Sequence, residues 1–194
     1  MSEETKLVDC GALESFVDGA LIAIQNLKEQ KDVLASAAEL FVSTLRAGHK
    51  ILTIGNGGSA AEALHMAEEL SGRYKKNRVA LPGICLCADC TALTCICNDY
   101  GADYIFSRQV EALGSEGDLL VVFSTSGNSQ NLITAVESAR AKGCKVMTLL
   151  GRDGGKLKGQ ADIELIIKAD ASAHIQEAHQ VVLHALLEQV EQYF

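Results

Sequence analysis

From Cys10 to Ala47 apolar residues recur at spacings of three and four: Leu13, Phe16, Val17, Ala20, Leu21 and Ile24, then Leu34, Ala37, Ala38, Leu40, Phe41 and Leu45. That period sets them on one stripe of a helix, and the polar interruption at Glu29 to Lys31 predicts two helices, with Gly48 as the stop. Beyond Gly48 the pattern changes. Short apolar runs at 50–55, 82–88, 118–124, 145–150 and 163–167 read as strands, bounded by turn residues. Between them helical spacing is predicted over 60–71, 91–96, 103–113 and 130–142, with Asn98-Asp99-Tyr100-Gly101 as a turn, and over 173–193 at the end. Strands apolar on both sides and separated by helices predict an α/β fold, a doubly wound sheet of five parallel strands. We therefore expect one domain over 1–194, with an N-terminal helical pair (1–48) ahead of an α/β core (49–194). The pair supplies either a lid on the sheet or an oligomer contact, and spacing does not choose between them.

Charge narrows the partners. Seventeen basic against 25 acidic residues leave a net charge of −8, which opposes general affinity for nucleic acid or anionic lipid, so any phosphate must be captured locally. No apolar run approaches the roughly 20 residues needed to cross a bilayer, and Met1-Ser2-Glu3-Glu4-Thr5-Lys6 lacks a charged-then-apolar signal pattern. A cytoplasmic protein is expected. Five of the seven Cys crowd at Cys85, Cys87, Cys90, Cys95 and Cys97, but without paired CxxC knuckles, and Cys85 and Cys87 fall in a strand-like run where Cys packs as a small hydrophobe. Reduced thiols are expected there rather than a metal site.

Two loops stand where ligands bind in such a sheet, at the carboxyl ends of strands. The first is Gly55-Asn56-Gly57-Gly58-Ser59, whose glycines let a ligand approach the main chain. The second is Ser124-Thr125-Ser126-Gly127-Asn128-Ser129, which joins strand 118–124 to helix 130–142. Free N–H groups and the positive end of a helix dipole, with the hydroxyls of Ser124, Thr125, Ser126 and Ser129, suit a phosphate dianion without a metal or an Arg. The plainer reading is that these residues only cap the helix.

Ionisable groups follow on the helices. His65 and Glu69 are four apart and share a helix face, suited to a metal or to proton transfer, and Gln176, Gln180 and His184 share a face of the closing helix. Each has a bland counterpart: Glu68 and Glu69 as solvated charge, the histidines as hydrogen-bonded structural residues. Beside two phosphate-suited loops the balance shifts, since a phosphorylated substrate needs an anchor and a reactive end.

These strings, together with His65-Met66-Ala67-Glu68-Glu69-Leu70-Ser71-Gly72-Arg73-Tyr74 and Ile175-Gln176-Glu177 with His184, resemble the phosphoheptose isomerases of the sugar isomerase (SIS) domain family over nearly the whole chain. The resemblance implies a flavodoxin-like SIS fold and interconversion of sedoheptulose 7-phosphate and D-glycero-D-manno-heptose 7-phosphate through a cis-enediol. It implies phosphate held by Ser124, Thr125, Ser126 and Ser129, and sugar lined by Asn56, Gly57, Gly58 and Ser59. Asn98, Asp99 and Gln176 would touch substrate, Arg73 would support the site, Glu69 would be the base and His184 its partner acid. It further implies Zn2+ on His65, Glu69, Gln176 and His184, and a homotetramer with active sites shared between subunits. Zinc ligation would make Glu69 a poorer base, so its two roles compete. Two residues depart from the family pattern: Ala173 where some members have an acidic residue, and Cys97 for a small residue before Asn98. The product would serve heptose biosynthesis, for lipopolysaccharide or for another glycan. The alternative is a non-catalytic SIS module that binds a phosphosugar or a protein, similar to the replication initiator-associating protein. Relatives of that kind lack the Glu and the closing His that stand here as Glu69 and His184.

Overall fold

The computed structural model describes residues 9–194; the stretch Met1 to Lys6, read above for a targeting signal, lies outside them. Helix α1 (Cys10–Gln25) starts at Asp9, whose Oδ1 accepts from the N–H groups of Gly11 and Ala12 at 2.9 and 3.2 Å. A 3-10 turn, Asn26–Gln30, leads into α2 (Lys31–Arg46). The break is longer than the polar residues at 29–31 suggested, because the turn has tertiary work. Leu27 is buried in it, and the Gln30 side chain exchanges two hydrogen bonds with the backbone of Ile166, acting as a short extra strand at the sheet edge.

The sheet comprises β1 (Ile51–Gly55), β2 (Gly83–Cys85), β3 (Leu119–Ser124), β4 (Lys145–Gly151) and β5 (Ile163–Ile167), all parallel, in the order β2-β1-β3-β4-β5. Helices α3 (Gly58–Ser71), α4 (Cys90–Tyr100), α5 (Ser107–Leu113), α6 (Gln130–Ala141) and α7 (Ser172–Val190) connect and close it. The strands alternate between two cores, as a sheet covered on both faces requires. Ile51, Val121, Phe123, Leu149 and Leu165 pack with α2, α3 and α7, and Leu52, Ile54, Val122 and Val146 pack with α5 and α6.

Three sequence expectations need correction. The strand expected over 82–88 is only Gly83–Cys85: Leu86 N–H still reaches Thr53 O, but the chain then turns, and the carbonyl of Gly55 accepts from the Cys87 thiol instead of a strand partner. Asn98-Asp99-Tyr100 is not a turn. Helix α4 runs through it and stops at Gly101, whose φ of 99° is left-handed. The helix expected over 103–113 divides into a 3-10 turn, Ala102–Tyr104, and α5, because Phe106 dives into the core between them.

Chain order reverses between β1 and β3, and Gly55 lies opposite Phe123, so the loops after these two strands open side by side at the sheet's carboxyl edge. That crevice is where an open α/β sheet receives a ligand.

Candidate active site

The two loops form one cup. Asn56 and Asn131 exchange amide hydrogen bonds at 2.9 and 3.0 Å, tying the β1 loop to α6 across the switch point. Gly57 holds φ 57°, ψ −122°, a conformation reserved for glycine, and a Cβ on Gly58 would stand 2.4 Å from the Gln176 amide. Beneath them lies a cavity of about 70 Å³, lined by Ser59, Ser124, Thr125, Ser126, Ser129 and Gln176 among others. The capping reading fails here: neither Gly57 nor Ser129 gives a side-chain cap, and although Ser59 N–H bonds the Asn56 carbonyl at 3.0 Å, the N–H groups of Gly58 in α3 and of Gln130 and Asn131 in α6 have no partner among the described residues. The loop hydroxyls divide in duty. Ser124 Oγ accepts from Gly127 N–H at 3.0 Å and Ser126 Oγ from Asn128 N–H at 3.3 Å, which shapes the loop, while Thr125 Oγ1 meets Ser172 Oγ at 3.2 Å.

The ionisable groups gather farther along α3 and α7. His65 Nε2 is 3.3 Å from Glu69 Oε1, and His65 Nδ1 is 3.1 Å from Gln180 Oε1. The His184 ring lies edge-on to His65 at 5.3 Å and stacks on Tyr74 at 5.8 Å. Residues 115 positions apart thus meet within one chain. Burial and the neighbouring His65 hold the His184 pKa below its ordinary value, with Glu69 pulling the other way. Glu68, expected as solvated charge, is exposed, yet its carboxylate, that of Glu69 and a ring nitrogen of His65 offer ligand atoms within 4.8 Å of one another. Gln176 stands at the cup, while Gln180, one turn farther along α7, is the glutamine that touches His65.

The remaining expected site residues stand apart. Asn98 and Asp99 are exposed at the end of α4, where Asn98 Nδ2 donates to Asp99 Oδ1 at 2.7 Å. Arg73 is exposed just past α3 and, among the described residues, makes no hydrogen bond or ion pair. The buried cation is Arg78 instead. It donates to the carbonyls of Glu69 and Leu70 at 2.6 and 2.9 Å and pairs with Glu191 at 3.4 Å, closing the end of α3 that carries Glu69. Between the cup and the cluster, Glu62 and His179 face each other at 3.7 Å with both side chains buried. Sequence reading missed Arg78 and Asn131 because no local spacing marks them, and it set Gln180 on the right face of the closing helix without its partner His65; each acts across a fold contact.

Comparison with known proteins agrees with the fold. A family model described as SIS domain matches residues 15–151. The chain is 52% identical over 161 residues to a phosphoheptose isomerase of Yersinia pestis, covering 82% of this chain and 83% of that one. It superposes on the solved phosphoheptose isomerase of Neisseria gonorrhoeae with a TM-score of 0.87 at 40% identity, covering 94% of this chain and 98% of that one. For the enzyme of Francisella tularensis the TM-score is 0.88 at 36% identity, over 96% and 100%.

Proposed function

The chain belongs to the phosphoheptose isomerase family of SIS domain proteins, and from that membership and the site's geometry we propose that it interconverts sedoheptulose 7-phosphate and D-glycero-D-manno-heptose 7-phosphate. The observation that carries the reading is convergence: Glu69 and His184, on helices far apart in the chain, meet at one end of a stripe on α7 whose other end, Gln176, lines the cup. Eight residues of helix separate Gln176 from His184, about 12 Å at the usual rise. A seven-carbon chain ending in a phosphoester spans about 10 Å at standard bond lengths, so one molecule reaches from cup to cluster.

In this mechanism the amides and hydroxyls of the cup hold the phosphate, with Ser129 and Thr125 lining the cavity and the uncapped starts of α3 and α6 adding their dipoles. Glu69 takes the proton from C1 of the ketose and returns it at C2 of the cis-enediol. His184, kept neutral by burial beside His65, passes protons between the oxygens of C1 and C2. Asn56, Gly57, Gly58 and Ser59 line the sugar. Two imidazoles and a carboxylate are zinc donors, and the short separation of His65 Nε2 and Glu69 Oε1 fits a shared cation, so His65, Glu69 and His184 would hold Zn2+, whereas Gln176, expected as a fourth ligand, stands at the cup away from them. Such an ion would polarise the substrate carbonyl. The base role of Glu69 and its ligand role compete, and we assign the base role first.

No described helix is long and apolar enough to cross a membrane. We place the enzyme in the cytoplasm as a homotetramer with shared sites. Its support is the exposed apolar stripe of α1, which includes Leu13, Phe16, Val17 and Leu21, and the exposed Arg73, Asn98 and Asp99, left for a substrate bound between subunits. Incubation with sedoheptulose 7-phosphate in D2O tests the reading: aldose carrying deuterium at C2 is expected. No turnover of any heptulose phosphate, with tight binding to another protein, would instead mark a non-catalytic module.

A further inference from the structure

We propose that Gln180 is a positioning residue that fixes the tautomer of His65, a role resting on the reading of His65 and Glu69 as one reactive unit. The amide oxygen of Gln180 lies 3.1 Å from His65 Nδ1. An amide oxygen only accepts, so Nδ1 carries the proton and, in the neutral ring, Nε2 does not. That bare Nε2 faces Glu69 Oε1 at 3.3 Å. Two acceptors at this separation are matched by whatever positive centre comes between them, a proton or a divalent cation. Without Gln180 the ring would settle the other way, donating from Nε2–H to the carboxylate and filling the position that a ligand or a migrating proton must occupy.

The arrangement is built into the packing. Gln180 lies one turn from Gln176 and one turn from His184 on the same stripe of α7, so the contact that docks α7 on α3 also delivers its amide to His65. His184 edge-on to the ring leaves Nδ1 and Nε2 as the polar exits of the imidazole. Gln180 therefore acts through His65 on what Glu69 can bind.

The test reads the tautomer directly. The chain has five histidines. Uniformly 15N-histidine-labelled protein, freed of metal by chelation and held near pH 8, is observed by long-range 1H–15N correlation, with His65 assigned by its loss in His65→Asn. Expected is the Nδ1–H form in the wild type, a shift toward Nε2–H in Gln180→Leu, and return of Nδ1–H in Gln180→Glu, whose carboxylate also accepts. Zinc affinity, measured against a chromophoric chelator, should fall about 10- to 100-fold in Gln180→Leu with thermal stability held as the control for folding. An Nε2–H wild type, or a Gln180→Leu spectrum and zinc affinity matching the wild type, overturns the proposal. Absence of turnover in the wild type would sink the isomerase reading and leave the tautomer result standing; turnover with the wrong tautomer would sink only this one.

Discussion

The cup at the sheet's carboxyl edge and the cluster farther along α3 and α7 are made of different material. The cup is neutral: helix N-termini without caps, glycine backbone and hydroxyls around about 70 Å³. The cluster is ionisable: two imidazoles and a carboxylate on α3 and α7, with a buried ion pair behind them. What the contrast teaches is division of labour. A group that must hold a dianion at every step is best made of fixed dipoles, which do not titrate, whereas a group that moves protons must titrate.

The strongest way to break this division is Glu69→Gln. It removes the proposed base and keeps the shape, so kcat should fall about 10²–10⁴-fold with KM nearly unchanged, measured by steady-state kinetics. A rise in KM with kcat intact would move Glu69 to the binding side.

Next in size is the support behind the cluster. Arg78→Met leaves Glu191 buried without its cation and frees the carbonyl of Glu69, and should cost on the order of 3 kcal/mol in denaturant unfolding. Acid sharpens the point. Burial pushes the Glu191 carboxyl up, but the N–H groups of Lys76 and Lys75 and the Arg78 guanidinium outweigh it and hold it low. A carboxyl lowered by folding stabilises above its unfolded value of about 4.3, and the contribution is lost as pH falls through the folded one. The Tm gap between wild type and Glu191→Gln should therefore be full at pH 7 and close under acid below about pH 4.

The cup responds differently. Ser129→Ala removes a hydroxyl with no internal partner as a cap, so its loss should raise KM about tenfold and spare both kcat and Tm. The smallest effect expected is electrostatic: His184 should titrate below about 6.5 by NMR, and lower still in Glu69→Gln, because Glu69 is the neighbour that raises it.

These regions also differed in how far the sequence disclosed them. The five strands, the order of the helices and both loops follow from period and turn chemistry, which are local. So was the pairing of His65 with Glu69, four apart on one helix. The ends of elements were less legible where tertiary contacts decide them, as with Cys87 closing β1 and Phe106 splitting the helix before α5. Asn131 and Arg78, and the partner of Gln180, were invisible because each contact joins residues 9 to 115 positions apart, and hydrogen-bond partners at that separation leave no spacing signature.

A crystal structure of Glu69→Gln with sedoheptulose 7-phosphate tests the central claim most directly, since turnover is stopped and the cup is untouched. Expected is the phosphate in the cup against Ser129 and Thr125, with C1 and C2 lying beside residue 69 and His184. Phosphate bound elsewhere, or a sugar whose C1 and C2 point away from both residues, would contradict it.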